Sequence, residues 1–473
     1  MISFNAKKDE KTKKFLSQIK DLKNTLNTFS SPCNILFPEN LENNIKIIEK
    51  VLQKHNLLYK VFYAHKCNKS LAIVKEASLL NVNIDVANIH ELRRALISGF
   101  TGDRIEATGP KNKEFLILAI EQNVTINVDN LSELNTILEL NKKINKKNIN
   151  ILLRISSFFE NYAVERITRF GMSYEDILEA LDIICRNKFL NLLGFSFHVD
   201  TVKNSEKVTA MKNALKLTTK AIEMGLNPKV IDIGGGFKVN YIDSEDEWNS
   251  SITELKQSFL SLNSLTWNND TFGMNIKNNT LAGTLNIYNF YNKEKEAEDL
   301  DLFLSTEVED YQNQTVAEIL TDNMITIYVE PGKALLDNLG VTISKVNFVK
   351  KIKDDLVVGL DMRRNDLIMV ESEVFLDPIV VSESEKLKEK VGVYFVGNLC
   401  LEGDLIYKRK IFIDQIPKEG DLVVFINTAG YFMDFNYLDN SKTPVTNKVA
   451  AVEKNNSFVF YMDDVYNPII SKE

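Results

Sequence analysis

The chain has 473 residues, a length that accommodates two or three ordinary domains. Its 57 Lys+Arg against 65 Asp+Glu give a net charge of −8, which argues against a nucleic-acid partner because phosphate backbones require a basic surface. Four cysteines without a C-x-x-C pair argue against a zinc ribbon or a disulfide framework. We therefore expect neither a metal site nor a nucleic-acid partner.

The first residues, MISFNAKKDEKTKKF, are polar and lack the apolar centre of a secretory signal. No apolar run reaches the roughly 18 residues that a membrane span requires. These features predict a cytoplasmic protein without a membrane partner.

From about residue 35, short apolar runs alternate with amphipathic stretches. The apolar spacing in SLAIVKEASLL (70–80) and SELNTILEL (132–140) predicts helices between the strands. This alternation indicates βα units and a parallel sheet, and eight such strands predict a closed (β/α)₈ TIM barrel, an α/β fold. The predicted strands are YKVFYA (59–64), VNIDVA (82–87), RIEAT (104–108), VTINVD (124–129), NILLRI (150–155), LLGFSFH (192–198), KVIDIGG (229–235) and ITIYVE (325–330).

After about residue 340 the pattern changes to strands separated by short turns, which predicts a second, mostly β domain. We predict an N-terminal segment over 1–34 that packs on this domain, a barrel over 35–340 and a C-terminal β domain over 341–473. The strands predicted for it lie in VTISKVNFVKKI, DDLVVGLDM, VGVYFVGNL, LIYKRKIFI, DLVVFINT and SFVFYM.

A polar, irregular stretch interrupts the barrel pattern after the seventh strand and contains both tryptophans. We interpret it as an insertion at about 240–315. A long insertion on the loop face of a barrel can form a lid or a substrate wall, or it can be a tolerated decoration. The sequence leaves both interpretations open.

Unusual residues fall at the carboxyl ends of the predicted strands, where barrel enzymes carry their chemistry. Alone, each has a plain explanation, such as an exposed lysine, a core histidine or a turn-capping glutamate. Together they define a ligand with a phosphate for the glycine loop, a ring, and a carbonyl that meets a lysine, which fits pyridoxal 5′-phosphate. The residues are Lys66, Arg154, His198, Gly234, Gly235, Gly236 and Glu330.

These motifs resemble the fold-type III pyridoxal-phosphate decarboxylases, the alanine racemase-fold family that includes diaminopimelate, ornithine and arginine decarboxylases. YAHKCN is similar to the family's Y-A-x-K-A-N motif, which implies that Lys66 forms the Schiff base with the cofactor. DVANIHEL (85–92) is similar to D-V-A-S-x-x-E-L and places Asp85 at the cofactor. FHVDT (197–201) implies that His198 stacks on the cofactor ring, and RFGM (169–172) resembles a family motif near F-G-M.

Further matches extend the resemblance over roughly residues 35 to 467, apart from the insertion. EPGK resembles E-P-G-R, which pairs Glu330 with the pyridine nitrogen and adds Gly332 and Lys333 to the site. NTAGYFMDFN (427–436) resembles the family's G-A-Y-x-x-x-M segment and makes Tyr431 a phosphate contact. GNLCLEGDL (397–405) resembles G-x-x-C-E-S-x-D, a segment that acts in the partner subunit. A homodimer with shared active sites, in which Cys400 and Asp404 act in trans, is therefore implied.

The reaction class follows from Glu330. A carboxylate there keeps the ring nitrogen protonated, so electrons left after loss of CO₂ can be stored in the ring, whereas the racemases of this fold place an arginine at that nitrogen. Decarboxylation at Cα is thus favoured. Cys400 is the candidate acid that reprotonates Cα, and its plain alternative is a buried structural cysteine.

Departures from the family pattern concern the substrate. Where diamino-acid decarboxylases carry an acidic residue for the distal ammonium, this chain has Leu401, and Glu402 or Asp404 could compensate. Lys333 replaces an arginine of the family and keeps the charge without the fork geometry. The family's R-P-x-L-Y segment is replaced by RRNDLIMVESEVFLDP (363–378), in which Arg363 and Arg364 offer additional binders for anionic groups.

These departures predict a larger, acidic, acylated amino-acid-derived substrate. The pattern resembles the divergent branch of the family linked to citrate-based siderophore assembly, whose members decarboxylate an amino acid with a citryl group on its side-chain amine. Two alternatives stay open: a decarboxylase of a free diamino acid (diaminopimelate, ornithine, lysine or arginine), and a non-catalytic homologue that binds a partner protein.

Overall fold

The computed structural model describes residues 2–156, 168–199, 203–261, 265–294, 297–369, 372–434 and 446–471. The chain divides into two compact units. We call them the barrel unit, residues 41–238 and 296–335, and the β unit, residues 1–40, 239–295 and 336–473. The stretch interpreted as an insertion is therefore shared: 239–295 belong to the β unit and the remainder belongs to the barrel unit.

The barrel unit contains a closed barrel of parallel strands, which confirms the predicted fold and all eight predicted strands. The first strand, Tyr59–Ala64, pairs with the last, Thr326–Val329, and this pairing closes the barrel. Only the strand ends differ from the prediction, as is usual for element boundaries. The strands in chain order are Tyr59–Ala64, Asn83–Val86, Ile105–Ala107, Thr125–Val128, Ile149–Arg154, Leu190–Ser196, Val230–Asp232 and Thr326–Val329.

Helices follow most of the barrel strands, and short polar residues begin them. The side chains of Ser70, Asn88, Asn112 and Asn130 each accept a hydrogen bond from a backbone N–H in the first turn of the helix that follows. The helices of this unit are Asn40–Lys54, which begins at the unit boundary, Leu71–Leu79, Ile89–Ile97, Lys113–Glu121, Leu131–Ile144, Tyr174–Arg186, Asn204–Glu223, Glu298–Leu304 and Val316–Asp322. In the part of the chain that the structure describes, no helix is long and apolar enough to cross a membrane.

An apolar cluster of buried residues on the barrel strands consists of Phe62, Leu152, Val230 and Tyr328. The rings of Phe62 and Tyr328 lie 5.0 Å apart, centroid to centroid. Layers of bulky inward side chains fill such barrels and leave the chemistry to the carboxyl ends of the strands. The side chains nearer those ends are polar, and they form the candidate site.

The β unit contains a nine-stranded sheet, and three of its strands were not predicted. Cys33–Leu36 pairs antiparallel with Gly340–Ile352. Asn447–Lys454 pairs parallel with Cys33–Leu36, and Ile379–Val381 pairs antiparallel with Leu422–Ile426. The remaining strands are Asp355–Leu360, Val391–Val396, Ile411–Ile413 and Ser457–Met462, and the helices of this unit are Glu10–Leu26 and Glu245–Ser258.

Three two-stranded ladders and six short 3₁₀ helices complete the described elements. The ladders pair Asn275–Lys277 with Thr280–Ala282, Glu307–Val308 with Gln314–Thr315, and Ile368–Met369 with Ser372–Glu373. The 3₁₀ helices are His65–Cys67, Gly102–Arg104, Trp267–Asn269, Glu309–Tyr311, Lys333–Leu336 and Arg364–Leu367.

Candidate active site

Lys66 lies in a single 3₁₀ turn, His65–Cys67, directly after the first barrel strand. This turn packs against the turn that follows the last strand. The backbone N–H of Ala64 donates to the carbonyl of Pro331 at 3.3 Å, and the Cys67 sulfur fills the space where a Cβ on Gly332 would lie. A glycine is therefore needed at 332 to bring the two turns together, with Lys66 on one and Glu330 at the start of the other.

The Lys66 ammonium lies beside a buried carboxylate. Its Nζ is 3.9 Å from Oδ2 of Asp85, and Thr108 Oγ1 donates to the other oxygen of Asp85 at 2.5 Å. Burial lowers the pKa of Lys66, but the carboxylates of Asp85 and Glu330 more than offset it, so the pKa lies above its ordinary value. The half-buried lysine is thus held as a cation at the carboxyl end of the barrel.

Glu330 presents an unsatisfied carboxylate in the barrel unit. Its backbone N–H donates to the carbonyl of Gly234 at 2.8 Å, which fixes its position beside the glycine loop. Its side chain is buried, and Oε1 has no hydrogen-bond partner among the described residues. Burial, and then the carboxylates of Asp232 and Asp85, raise the pKa of Glu330 well above its ordinary value. Such a carboxylate gains strongly from a cationic N–H donor.

The glycine loop leaves no room for side chains. Gly234 has a φ of +67°, and a Cβ there would overlap the His198 ring. A Cβ on Gly235 would lie 2.6 Å from the carbonyl oxygen of Glu330. The backbone N–H of Gly235 donates to Nδ1 of His198 at 3.1 Å, and that of Gly234 donates to Oδ1 of Asp232 at 2.8 Å. The first two glycines therefore serve mainly to admit His198 and Glu330, which leaves Gly236 as the better candidate for an anion contact.

The hydrogen bond from Gly235 also defines the state of His198. Burial, and then the charges of Lys66 and Arg154, lower the pKa of His198 to about 3. The ring is therefore neutral at physiological pH, with Nδ1 as the acceptor and the proton on Nε2.

We predict that Gly234→Ala weakens cofactor binding at least about tenfold, because the new methyl group displaces the His198 ring from its place. Gly225→Ala is the matched control: Gly225 has a φ of +83°, and a Cβ there meets no atom within 4 Å. The measurement is titration of each apoprotein with pyridoxal phosphate. Equal losses of affinity in both variants would attribute the effect to backbone strain alone.

Arg154 ends the fifth strand and is held from two sides. Its guanidinium lies 3.9 Å from Asp129 and 4.6 Å from the centroid of Phe170 in the RFGM segment. Asp129 in turn accepts the backbone N–H of Gly171 at 3.0 Å. This arrangement gives the RFGM segment a structural role in orienting Arg154. Asp200 and Thr201 of the FHVDT motif lie outside the described residues.

Two buried acids of this site, Glu106 and Asp232, were not predicted from the sequence. Carboxylate oxygens of Glu106, Asp232 and Glu330 all lie within 4.8 Å of one another. The available signal was an acidic residue at the centre of an apolar strand, since a buried charged residue is more informative than an exposed apolar one. RIEAT and KVIDIGG both show that signal.

The β unit holds the remaining predicted site residues. Cys400 is exposed, and the Leu401 side chain beside it is 68% exposed. Glu402 is also exposed. Asp404 is buried and accepts the backbone N–H groups of Leu399 at 2.8 Å and Arg364 at 2.7 Å. The cysteine segment is thus a tight loop closed by Asp404 that presents its tip to the surface of this unit.

Arg363 and Arg364 differ in environment. Arg363 is buried, and its guanidinium forms an ion pair with Asp366 at 2.6 Å. Arg364 is half-buried at the start of the turn Arg364–Leu367 and lines a cavity.

Tyr431 has a left-handed backbone, with a φ of +71°, immediately after Gly430. Lys333 begins the turn Lys333–Leu336 in the barrel unit.

Comparison with known proteins agrees with this geometry. Residues 40–271 match the family described as pyridoxal-dependent decarboxylase, pyridoxal binding domain. An uncharacterized protein of Sinorhizobium fredii is 27% identical over 432 residues, covering 89% of this chain and 88% of the relative. Diaminopimelate decarboxylase of Methanocaldococcus jannaschii is 22% identical over 462 residues, covering 94% and 91%.

Solved structures show the same fold. Diaminopimelate decarboxylase of Helicobacter pylori, complexed with L-lysine, superposes with a TM-score of 0.66 at 18% identity and covers 93% of this chain and 95% of its own. The arginine decarboxylase of Paramecium bursaria Chlorella virus gives 0.66 at 18% identity, with 91% and 99% covered.

The barrel, its terminal lysine and its acid-lined glycine loop define a pyridoxal-phosphate enzyme. The chain belongs to the fold-type III pyridoxal-phosphate-dependent amino-acid decarboxylases, the family with the alanine racemase-like fold.

The residues present fit the cofactor. The orphaned Oε1 of Glu330 is an acceptor for a ring N–H, and the first two glycines of the loop let the His198 ring and the backbone of Glu330 lie close together. Lys66 would hold the cofactor aldehyde, and the neutral His198 would offer the cofactor an uncharged ring. Pyridoxal phosphate supplies an electron sink for the breaking of the bond between Cα and the carboxylate.

Proposed function

We propose that this enzyme removes the α-carboxyl group of an amino acid whose side-chain amine is acylated, and that its particular substrate is a citryl-diamino acid intermediate of a citrate-based siderophore. The observation that carries the proposal is a cationic cleft in the β unit. Seven residues line its cavity of about 110 Å³: Asp270, Phe272, Gly273, Asn286, Ile287, Arg364 and Lys408.

The charge of this cleft suits a carboxylate-rich group. Lys408 Nζ lies 3.0 Å from Asp270, so that pair is nearly neutral. The Arg364 guanidinium has no ion-pair partner within the described ranges, and it gives the cleft an excess of positive charge. Arginine binds carboxylates in a bidentate manner, and Asn286 adds an amide donor. The segment 239–295 supplies most of the lining, which favours a substrate wall over a tolerated decoration.

The cysteine loop supports the same substrate class. Leu401 stands where a diamino-acid decarboxylase carries an acid, and the oxygens of Asp404 are occupied by two backbone N–H groups. In the dimer proposed below, a distal ammonium enclosed at this loop would lose its hydration without gaining a carboxylate from either residue. An acylated amine carries no charge and avoids that loss. Arg363 is a weaker candidate than Arg364 for substrate binding because Asp366 already neutralises it.

A free diamino acid is the second candidate substrate. The relative from Methanocaldococcus jannaschii bears the name diaminopimelate decarboxylase. Within this chain, the exposed carboxylate of Glu402, two residues from Cys400, is the group that would bind a distal ammonium.

We further propose a cytoplasmic homodimer in which Cys400 completes the partner's active site. Lys66 would bind the cofactor aldehyde and Glu330 would hold the proton of the ring nitrogen. After CO₂ leaves, the Cys400 thiol would give its proton to Cα and become a thiolate. Exposure of the cysteine loop on the β unit supports a role at a subunit interface.

The substrate proposal predicts the outcome of a CO₂-release assay. The panel pairs free ornithine, lysine, 2,3-diaminopropionate and diaminopimelate with their side-chain citryl conjugates. We expect kcat/KM for a conjugate to exceed that of its free amino acid at least about a hundredfold, because bidentate binding of a citryl carboxylate by Arg364 adds two charge-assisted hydrogen bonds.

Arg364→Ala should raise KM for the conjugate about tenfold. Arg186→Ala is the control and should leave this KM unchanged, because Arg186 is an exposed arginine at the end of the helix Tyr174–Arg186. Preference for a free diamino acid would contradict the proposal and assign ammonium recognition to Glu402.

A further inference from the structure

A chain of hydrogen bonds crosses the barrel interior behind Glu330. Ser196 Oγ donates to Oδ1 of Asn127 at 2.7 Å, and Nδ2 of Asn127 donates to Oε1 of Glu106 at 2.9 Å. Each of these side chains is buried and lies on a different barrel strand. Oε1 of Glu106 is the acceptor at the end of this chain, because Nδ2 of Asn127 has N–H groups to donate and no acceptor lone pair.

The chain continues to a second acid. A carboxylate oxygen of Glu106 and one of Asp232 lie within 4.8 Å of each other. Two carboxylates cannot bond to each other unless one of them carries a proton. Oε2 of Glu106 has no donor among the described residues, and Oδ1 of Asp232 accepts the backbone N–H of Gly234. One oxygen of each acid, Oε1 of Glu106 and Oδ1 of Asp232, therefore accepts from a fixed donor, which leaves the second oxygen of each acid for a shared proton.

We propose that Glu106 and Asp232 share one proton, carry a single negative charge between them, and act as a positioning pair for Glu330. Their oxygens lie within 4.8 Å of the Glu330 carboxylate. A buried anion at that distance makes the Glu330 carboxylate more basic. The pair therefore strengthens the hold of Glu330 on a cationic N–H group and disfavours a neutral one.

The surrounding charges are consistent with a retained proton. Burial, and then Glu330 and Asp85, raise the pKa of Glu106 well above its ordinary value. Burial, and then Glu106, do the same to the pKa of Asp232. The other titratable groups near the three acids are Lys66 and Asp85 at the first two strands, Arg154 at the fifth, and Tyr328 on the last. Burial, and then Glu106 and Asp232, raise the pKa of Tyr328.

Infrared difference spectroscopy of the holoenzyme tests where the proton lies. We expect the C=O stretching band of one protonated carboxyl at neutral pH, lost in Glu106→Gln and in Asp232→Asn but retained in Glu330→Gln. Both pair variants keep the hydrogen bond, because an amide N–H replaces the shared proton. Loss of the band in Glu330→Gln alone would assign the proton to Glu330 and overturn the proposal. Absence of the band from the wild-type enzyme would overturn it without any variant.

The charge of the pair is tested by cofactor binding. Each single variant keeps one negative charge, whereas Glu106→Gln/Asp232→Asn keeps none. We expect the double variant to bind pyridoxal phosphate at least about tenfold more weakly than Glu106→Gln does. Its affinity for the analogue with carbon in place of the ring nitrogen should change less than about twofold. Equal losses for both compounds would show a general packing defect and contradict the electrostatic role.

The pH dependence of stability gives an independent readout. A carboxyl whose pKa is raised in the folded state binds a proton there that the unfolded chain has already released. Its stabilisation is therefore present at low pH and is lost as pH rises toward the folded-state pKa. Above pH ~4, the equilibrium constant for folding of the wild-type protein, divided by that of Glu106→Gln, should fall about tenfold per pH unit. Parallel profiles from urea unfolding of the two holoenzymes would contradict a proton held by the pair.

Discussion

Lys66→Ala is expected to lower kcat for CO₂ release at least about a thousandfold and to abolish the visible absorption that a lysine-bound cofactor gives the protein. Lys66 is positioned for this role by the 3₁₀ turn after the first strand and by the nearby Asp85 carboxylate. Lys69 cannot take its place, because its ammonium is already paired with Glu91 at 3.0 Å.

The matched control is Lys60→Ala. Lys60 lies on the same strand near its opposite end, 5.5 Å from the centroid of the Tyr328 ring, so the substitution removes the same charge away from the site. Absorption spectra before and after dialysis, with single-turnover CO₂ release, separate cofactor attachment from catalysis. Retention of the visible band in Lys66→Ala, or an equal loss in Lys60→Ala, would contradict the assignment of Lys66.

Much of the barrel could be predicted because its sequence signals are local. VFYA (61–64) is a short apolar run that leads into His65 and Lys66, and the structure forms the strand Tyr59–Ala64 there. Helix starts are marked by Ser and Asn, which satisfy the first free N–H groups of each helix. Strands such as Cys33–Leu36 carry no comparable signal. Four buried residues show neither alternation nor a turn, and their partners lie hundreds of positions away.

The residues of the candidate site could be predicted where they belong to a recognisable motif. Their pKa values and hydrogen bonds could not be predicted, because residues from distant segments determine them. The sequence indicated that Glu330 ends a strand, but the nearby acids that raise its pKa come from two other strands. GGG indicated an anion loop, yet two of its N–H groups donate to His198 and Asp232 in the structure. Asp404 looked available for substrate in the sequence, and two backbone N–H groups occupy it. Hydrogen bonding between distant segments determines each of these outcomes.

Mixing inactive Lys66→Ala with inactive Cys400→Ala is expected to restore about a quarter of wild-type activity. If each active site takes Lys66 from one subunit and Cys400 from its partner, a hybrid dimer has one intact site and one doubly altered site. Random exchange of equal amounts makes about half of the dimers hybrid, and each hybrid has half of its sites intact. The exposed Cys400 on its tight loop is the structural basis for this expectation.

The same experiment separates a catalytic thiol from a structural one. Cys400→Ser conserves size and leaves the backbone contacts of Asp404 in place, so it controls for a collapsed loop. Subunit exchange is verified by mass spectrometry of differently tagged chains. Confirmed exchange without recovered activity would mean that each subunit supplies both residues to its own site, and the shared-site proposal would be withdrawn. Recovery near a quarter would instead assign Cys400 to the partner's reaction, because an alanine at 400 in one subunit would be harmless to the site that contains that subunit's own Lys66.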